Sequence, residues 1–300
     1  MRITLRQLRV FETVARTGSI AKASIELVMS PPAISMSLKE LEGHLQRPVF
    51  DRQGRRLILN ESGREIREMA HSLLLQAQEL EESVSDRRVR GRLRIGAPPP
   101  LAIEVLPQLC AAFMVRHPHA LLDVTIASSL EIMSATQKMA IGVGIVGSPV
   151  NSNYLSAEPW FADDLVVCCA PDNPLRDQVI RSIAELRDQP WILDKALSGE
   201  RTSFVMQIFP EVPELRVALE ANSLELIKET VRRTDALACL SRISVARELA
   251  SGTLAELPIV HLRIRHAYNL ITRRDVYLSR AQQAFLEIAR DLPGSLGLTV

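Results

Sequence analysis

The apolar positions between Ser19 and Leu45 fall into two short helical patterns separated by a tight turn. Ile20, Ala23, Ser24 and Leu27 stand at i, i+3, i+4 and i+7, and Ser19, just after Gly18, sits where an N-cap belongs. Ile34, Leu38, Leu41 and Leu45 then step by four, three and four, which gives one continuous buried stripe. Ser30 caps this second helix, and Pro32 lies in its first turn, where a missing N–H costs nothing. At about 100° per residue the opposite face carries Pro32, Met36, Lys39 and Gly43, with Ser35 on its flank. Two structures fit this pattern: a helical hairpin inside a bundle core, or a helix-turn-helix with one face free for a DNA major groove.

The patterning downstream favours the second. Val49-Phe50 and Leu57-Ile58-Leu59 flank Asp51-Arg52-Gln53-Gly54-Arg55-Arg56, which predicts a short hairpin, or wing, with a basic tip suited to phosphate contacts. Asn60 can cap a long helix from Glu61 to about Arg88, roughly 40 Å at 1.5 Å per residue. Along it Ile66, Ala70, Leu73, Ala77, Leu80 and Val84 repeat by fours and threes. This stripe would pack either on its own chain or on a second copy, and its charged flanks (Glu65, Arg67, Glu68, Glu79, Glu81, Glu82) favour pairing between subunits. Beyond Val89-Arg90-Gly91 strands and helices alternate. Strands are expected at 92–96, 122–127, 141–146, 165–170, 215–220, 237–240, 260–265 and 268–272. Helices are expected at 101–116, 130–139, 202–209, 223–232, 243–250 and 280–290. Such βαβ repetition predicts parallel sheets with helices on both faces.

Composition sharpens the division. The chain has 300 residues, 47% of them hydrophobic, enough for two or three packed domains. Its net charge of +1 conceals an asymmetry. Residues 1–60 hold ten Lys/Arg against five acids, a balance of +5, and the remainder carries −4. A basic head on a mildly acidic body fits an electrostatic footprint confined to one module. With no apolar N-terminal run behind a positive start and no apolar stretch long enough to span a bilayer, cytoplasmic placement and no membrane partner are expected. Cys110, Cys168, Cys169 and Cys239 show no metal spacing, and Cys168-Cys169 falls in an apolar run that reads as a buried strand with inert thiols. His44, His71, His117, His119, His261 and His266 show neither metal spacing nor a linked nucleophile. Gly142, Gly144 and Gly147 do not form a phosphate loop. An enzyme is therefore disfavoured, no cofactor or metal site is expected, and binding is expected to be the chemistry.

The residues at the N-terminus carry a family resemblance. Leu5-Arg6-Gln7-Leu8, Phe11, Val14-Ala15, Gly18-Ser19, Ala23, Leu27, Ser30, Pro32-Ala33-Ile34-Ser35, Leu41-Glu42, Leu45, Phe50-Asp51-Arg52, Leu57 and Gly63 make residues 1–66 similar to the winged helix-turn-helix of LysR-type transcriptional regulators. The resemblance implies a mainly α, winged helix-turn-helix DNA-binding domain at 1–60 and a linker and dimerisation helix at 61–89. A two-lobed α/β effector domain of the periplasmic-binding-protein type would fill 90–300, with lobe one about 92–160 plus 267–300 and lobe two about 161–266. It also implies a homodimer, paired further into a homotetramer, that grips two operator half-sites on double-stranded DNA and responds to a small-molecule effector. Ser30, Pro31, Pro32, Ser35, Met36, Lys39, Arg52, Arg55 and Arg56 are the DNA-contacting candidates. Pro31 and Met36 depart from the family pattern, which usually has Gln or Ser and Arg or Lys at these places. Effector candidates are Ser128, Ser129, Ser198, Arg201, Asn222 and Ser223, although as helix caps the serines would serve equally well. Ala97-Pro98-Pro99-Pro100 lacks the hydroxyl common after the first strand, and Glu200 stands where a hydroxyl is usual. An unusual effector, or a cleft that needs none, would each account for this. A solute-binding transport component of the same fold would need export, which the N-terminal signature opposes.

Overall fold

The computed structural model describes residues 2–53, 56–83, 89–195 and 199–295. Three expected functional positions, Arg55, Val84 and Ser198, lie outside the described residues. The chain divides into two compact units: 1–88 with 275–280, and 89–274 with 281–300.

The first unit opens with helix α1 (Leu5–Thr17), started by a Thr4/Gln7 capping box and stopped at Gly18 in the left-handed conformation, φ +64°. Helix α2 (Ile20–Glu26) is capped by Ser19 and α3 (Pro31–Leu45) by Ser30, whose Oγ accepts the Ala33 N–H at 3.4 Å. Strands β1 (Phe50–Gln53) and β2 (Arg56–Leu59) pair antiparallel, and the Leu57 N–H donates to the Gly18 carbonyl at 3.0 Å, which ties the hairpin to the α1–α2 corner. Asn60 then starts α4 (Glu61–Ser83), accepting the Gly63 N–H at 2.9 Å. Leu8, Phe11, Val14, Ala23, Ile34, Leu38, Leu41 and Val49 make a common core, with the Phe11 and Phe50 rings 5.5 Å apart.

In chain order the second unit comprises β3 (Gly91–Ala97), α5 (Leu106–Arg116), β4 (Ala120–Ile126), α6 (Ser129–Gln137), β5 (Val143–Val146) and β6 (Leu155–Cys169), then β7 (Trp191–Asp194), α7 (Gly199–Ile208), β8 (Val217–Ala221) and α8 (Leu224–Val231), and finally β9 (Ala238–Ser241), α9 (Ala246–Ser251), β10 (Ala255–Glu256), β11 (Ile264–Arg273) and α10 (Arg280–Ser295). Strands β4, β3 and β5 are parallel, and so are β7 and β8, as βαβ connections require. Two long strands, β6 and β11, run antiparallel to each other and pass through both lobes.

This corrects two expectations. The strand anticipated at 165–170 begins ten residues earlier, because Glu158, Pro159, Asp163 and Asp164 break the apolar run. The two late strands expected at 260–265 and 268–272 are one, β11, with a register shift opposite Pro159, a residue with no N–H to donate. The sheet is accordingly mixed rather than wholly parallel.

Candidate functional site

The first site is the outer face of α3. Ile34, Leu38 and Leu41 are buried, which rotates Pro31, Pro32, Ser35, Met36 and Lys39 into solvent, and Met36 is 63% exposed. Arg52 and Arg56, on the paired strands of the wing, are exposed as well. Ser30 is exposed but its hydroxyl is committed to capping. A helix presenting short polar and apolar groups, flanked by a cationic hairpin, suits base-edge contact with phosphate anchoring beside it.

The expected subunit seam on α4 divides in two. Ile66 and Ala70 are buried in this unit's own core beside α1, so they are not available to a partner. The small Ala70 belongs to the stretch where α4 lies against α1, whose apolar face needs cover. Further along, Leu73 is 50% exposed, Leu80 is exposed and Ala77 is half-buried, and Met69 adds a further exposed apolar side chain.

The second site is a cleft of about 660 Å³ in the second unit. Lobe one contributes Pro98–Pro100, Ile126–Glu131 and Gly147, lobe two contributes Asp194, Lys195, Gly199, Glu200, Asn222, Leu224, Ile227 and Leu240, and His266 and Tyr268 come from β11. At the start of α6 the Ser128 N–H and Oγ–H donate to Glu131 Oε2 at 2.9 and 2.7 Å, and these bonds hold the Glu131 carboxyl below its usual range. Ser129 is buried and its Oγ accepts the Gly147 N–H at 3.0 Å. Gly147 and Gly199 allow the closest approach of the two lobes: a β-carbon at Gly199 would overlap the Gly147 carbonyl, and one at Gly147 would overlap His266 Nε2.

Of the expected effector contacts, Ser128, Ser129 and Asn222 line this cleft, whereas Arg201 and Ser223 do not. Arg201 donates to the Asp194 carbonyl at 2.9 Å and pairs with Glu220 at 2.7 Å, and the Ser223 Oγ caps α8 through the Leu226 N–H at 3.3 Å.

Three buried polar residues escaped the sequence reading: Glu200, His266 and Tyr268. The Tyr268 hydroxyl donates to Glu200 Oε1 at 3.1 Å, and burial pushes the Glu200 carboxyl up to about 8. His266 Nδ1 lies 2.9 Å from Ser203 Oγ, and burial brings this imidazole down to about 4, so it is neutral at physiological pH. The Asp163 carboxylate, opposite His266 in the ladder, accepts from Ser241 Oγ and from the Ile243 N–H at 3.2 Å. With Asp163 occupied elsewhere, Ser203 and His266 lack the third group that orients a nucleophile–base relay. The signal that could have found these residues is the inward alternation of Ile264, His266 and Tyr268 between exposed Arg265 and Ala267. Among the described residues no group of His, Cys, Asp and Glu could hold a metal ion, and no helix is long and apolar enough to cross a membrane.

A winged helix-turn-helix joined to a two-lobed domain with a ligand-sized cleft defines a ligand-responsive DNA-binding regulator. The profile described as "Bacterial regulatory helix-turn-helix protein, lysR family" matches residues 5–64, and "LysR substrate binding domain" matches 86–293, so the chain belongs to the LysR family of transcriptional regulators and is not an enzyme. An HTH-type transcriptional regulator of Escherichia coli K12, YeiE, is 34% identical over 287 residues, covering 96% of this chain and 97% of that protein. A full-length OxyR variant from Pseudomonas aeruginosa superposes with a TM-score of 0.77 at 20% identity, covering 100% of this chain and 98% of that one. The CcmR regulatory domain of Synechocystis PCC6803, in complex with 2-PG, is 26% identical with a TM-score of 0.61, covering 67% of this chain and 96% of that one. Regulators of this family bind DNA and effectors and form oligomers.

Proposed function

We propose that two copies of this chain pair through the exposed half of α4 and set their α3 helices into two operator half-sites, with the pairs associating further into a tetramer in the cytoplasm. The observation that carries this is the α3 face itself: Pro32, Ser35, Met36 and Lys39 stand exposed beside Arg52 and Arg56. Ser35 and Met36 read base edges, Met36 through apolar contact such as a thymine methyl, while Lys39 and the wing arginines neutralise phosphates. Pro31 and Pro32 stiffen the tip. Residues 1–60 are the reading head, 61–89 the linker and 90–300 the effector domain. The effector sits in the cleft between lobes 92–160 plus 267–300 and 161–266, against Ser128, Ser129 and Asn222, and the CcmR domain's complex with 2-PG supports a small molecule there. The effector acts by its different affinity for two arrangements of the lobes.

The test is a DNA footprint upstream of the protein's own gene, repeated with candidate metabolites. Paired protected half-sites about one helical turn or a multiple apart are expected. A single unpaired site would remove the dimeric reading, and a footprint unmoved by any metabolite would remove the switch.

A further inference from the structure

Glu200 stands in the first turn of α7, lines the cleft, and is only 7% exposed. The groups that face it come from every element packed around it: Tyr268 and His266 on β11, Asp163 on β6, Asp194 on β7 and Cys239 on β9. The charged ones among these are acids. Arg201, one residue further along α7, holds the Asp194 carbonyl and Glu220, and His266 is neutral. An ionised Glu200 would be a buried charge with no counter-charge, so the side chain keeps its proton near neutrality. Tyr268 donates to Oε1, leaving the acid's own O–H for a further acceptor.

We propose that Glu200 selects the effector: as an uncharged carboxylic acid it donates a hydrogen bond to an oxyanion of the ligand, a carboxylate or a phosphate-like group, and thereby couples effector affinity to pH. The proposal rests on the reading of the cleft as the effector site. An oxyanion is favoured over an ammonium because the remaining polar lining is electropositive. Lys195 borders the cleft, and the first turns of α7 and α8 open onto it beside Asn222 and Leu224. In lobe one the corresponding helix start is already filled by the protein's own Glu131 carboxylate, so the oxyanion belongs against lobe two.

The experiment is calorimetric titration of the full-length protein with acetate, glycolate, sulfate, methylguanidinium and tetramethylammonium, none of which titrates over the range used. Measurements near pH 6.5 and near pH 9, in buffers of different ionisation enthalpy, count the protons exchanged. The expected result is that an oxyanion binds, takes up about one proton at the higher pH and almost none at the lower, and weakens roughly tenfold per unit above pH 8. Glu200→Gln, which keeps an N–H donor and cannot titrate, should bind that oxyanion equally at both pH values. Binding of the cations with tightening at high pH, no binding by any oxyanion, oxyanion binding without proton uptake, or a pH dependence surviving in Glu200→Gln would each overturn the proposal. Ala127→Trp, which fills the cleft from lobe one, separates the two readings. If oxyanion binding survives it, the cleft is not the site. If binding is lost there while Glu200→Gln keeps the wild-type pH dependence, only the role of Glu200 falls.

Discussion

The reading head and the ligand domain use polar residues in opposite ways. The head holds its working groups out: Ser35, Met36 and Lys39 project from a helix whose other face is apolar core, and Arg52 and Arg56 from a two-stranded wing. The ligand domain holds Glu200, His266 and Tyr268 in, hydrogen-bonded and nearly dry. Exposed charges suit a polyanion that approaches from outside and is gripped by many weak, salt-sensitive contacts. Buried groups suit a small solute that must be told from others of its size, because a mismatched partner leaves a polar atom unpaired at a cost of about 1–3 kcal/mol.

The largest expected effect separates the two regions completely. Leu73→Glu places a charge on the exposed half of α4 without touching the core beneath Ile66 and Ala70. Sedimentation should show monomers, and operator affinity should fall by roughly 10²–10⁴, the advantage of tethering two heads, while ligand binding stays. Next comes the double change Arg52→Ala, Arg56→Ala. Operator and random DNA should weaken alike, and the slope of log affinity against log salt should shrink by about two. An unchanged slope would take the wing off the backbone.

Smaller effects probe the buried side. Glu200 folds with its acid value raised from 4.5 to about 8, so between those values the folded state holds a proton that the unfolded chain releases, and stability is lost as pH rises through this window. His266 works the other way, gaining stability as pH rises from about 4 toward 6.5. The Glu200 contribution therefore stands alone between roughly pH 6.5 and 8, where it costs about 1.4 kcal/mol per unit, and Glu200→Gln should flatten denaturation midpoints across that interval. Smallest is Ser30→Ala, which removes the α3 cap. A loss of about 1 kcal/mol in the head's stability is expected, with ligand binding untouched.

The same contrast explains what could be read from the residues alone. The α3 stripe of Ile34, Leu38 and Leu41 is local and one-sided, so periodicity is enough to identify the face opposite. The cleft is assembled from segments far apart in the chain, Asp163 lying opposite His266 across two long strands, and no local pattern encodes that pairing. Arg201 and Ser223 resemble ligand contacts because both open helices, yet a neighbouring carboxylate and a cap account for them. The α4 heptad is regular enough to suggest one function along its length, but a helix packed on α1 and a helix offered to a partner present the same period. Only Ala77, Leu73 and Leu80 of the described seam remain outside the core of the first unit.

That division within α4 has an evolutionary consequence. A bacterium that keeps many paralogues of one regulator family must stop them from exchanging subunits, and the residues that enforce this must drift quickly without unfolding anything. The turns of α4 from Leu73 onward meet that need: they can diversify as a recognition barcode while Ile66 and Ala70 hold the head together. A chimera joined just before Leu73 should therefore inherit the DNA preference of its first parent and the mating type of its second.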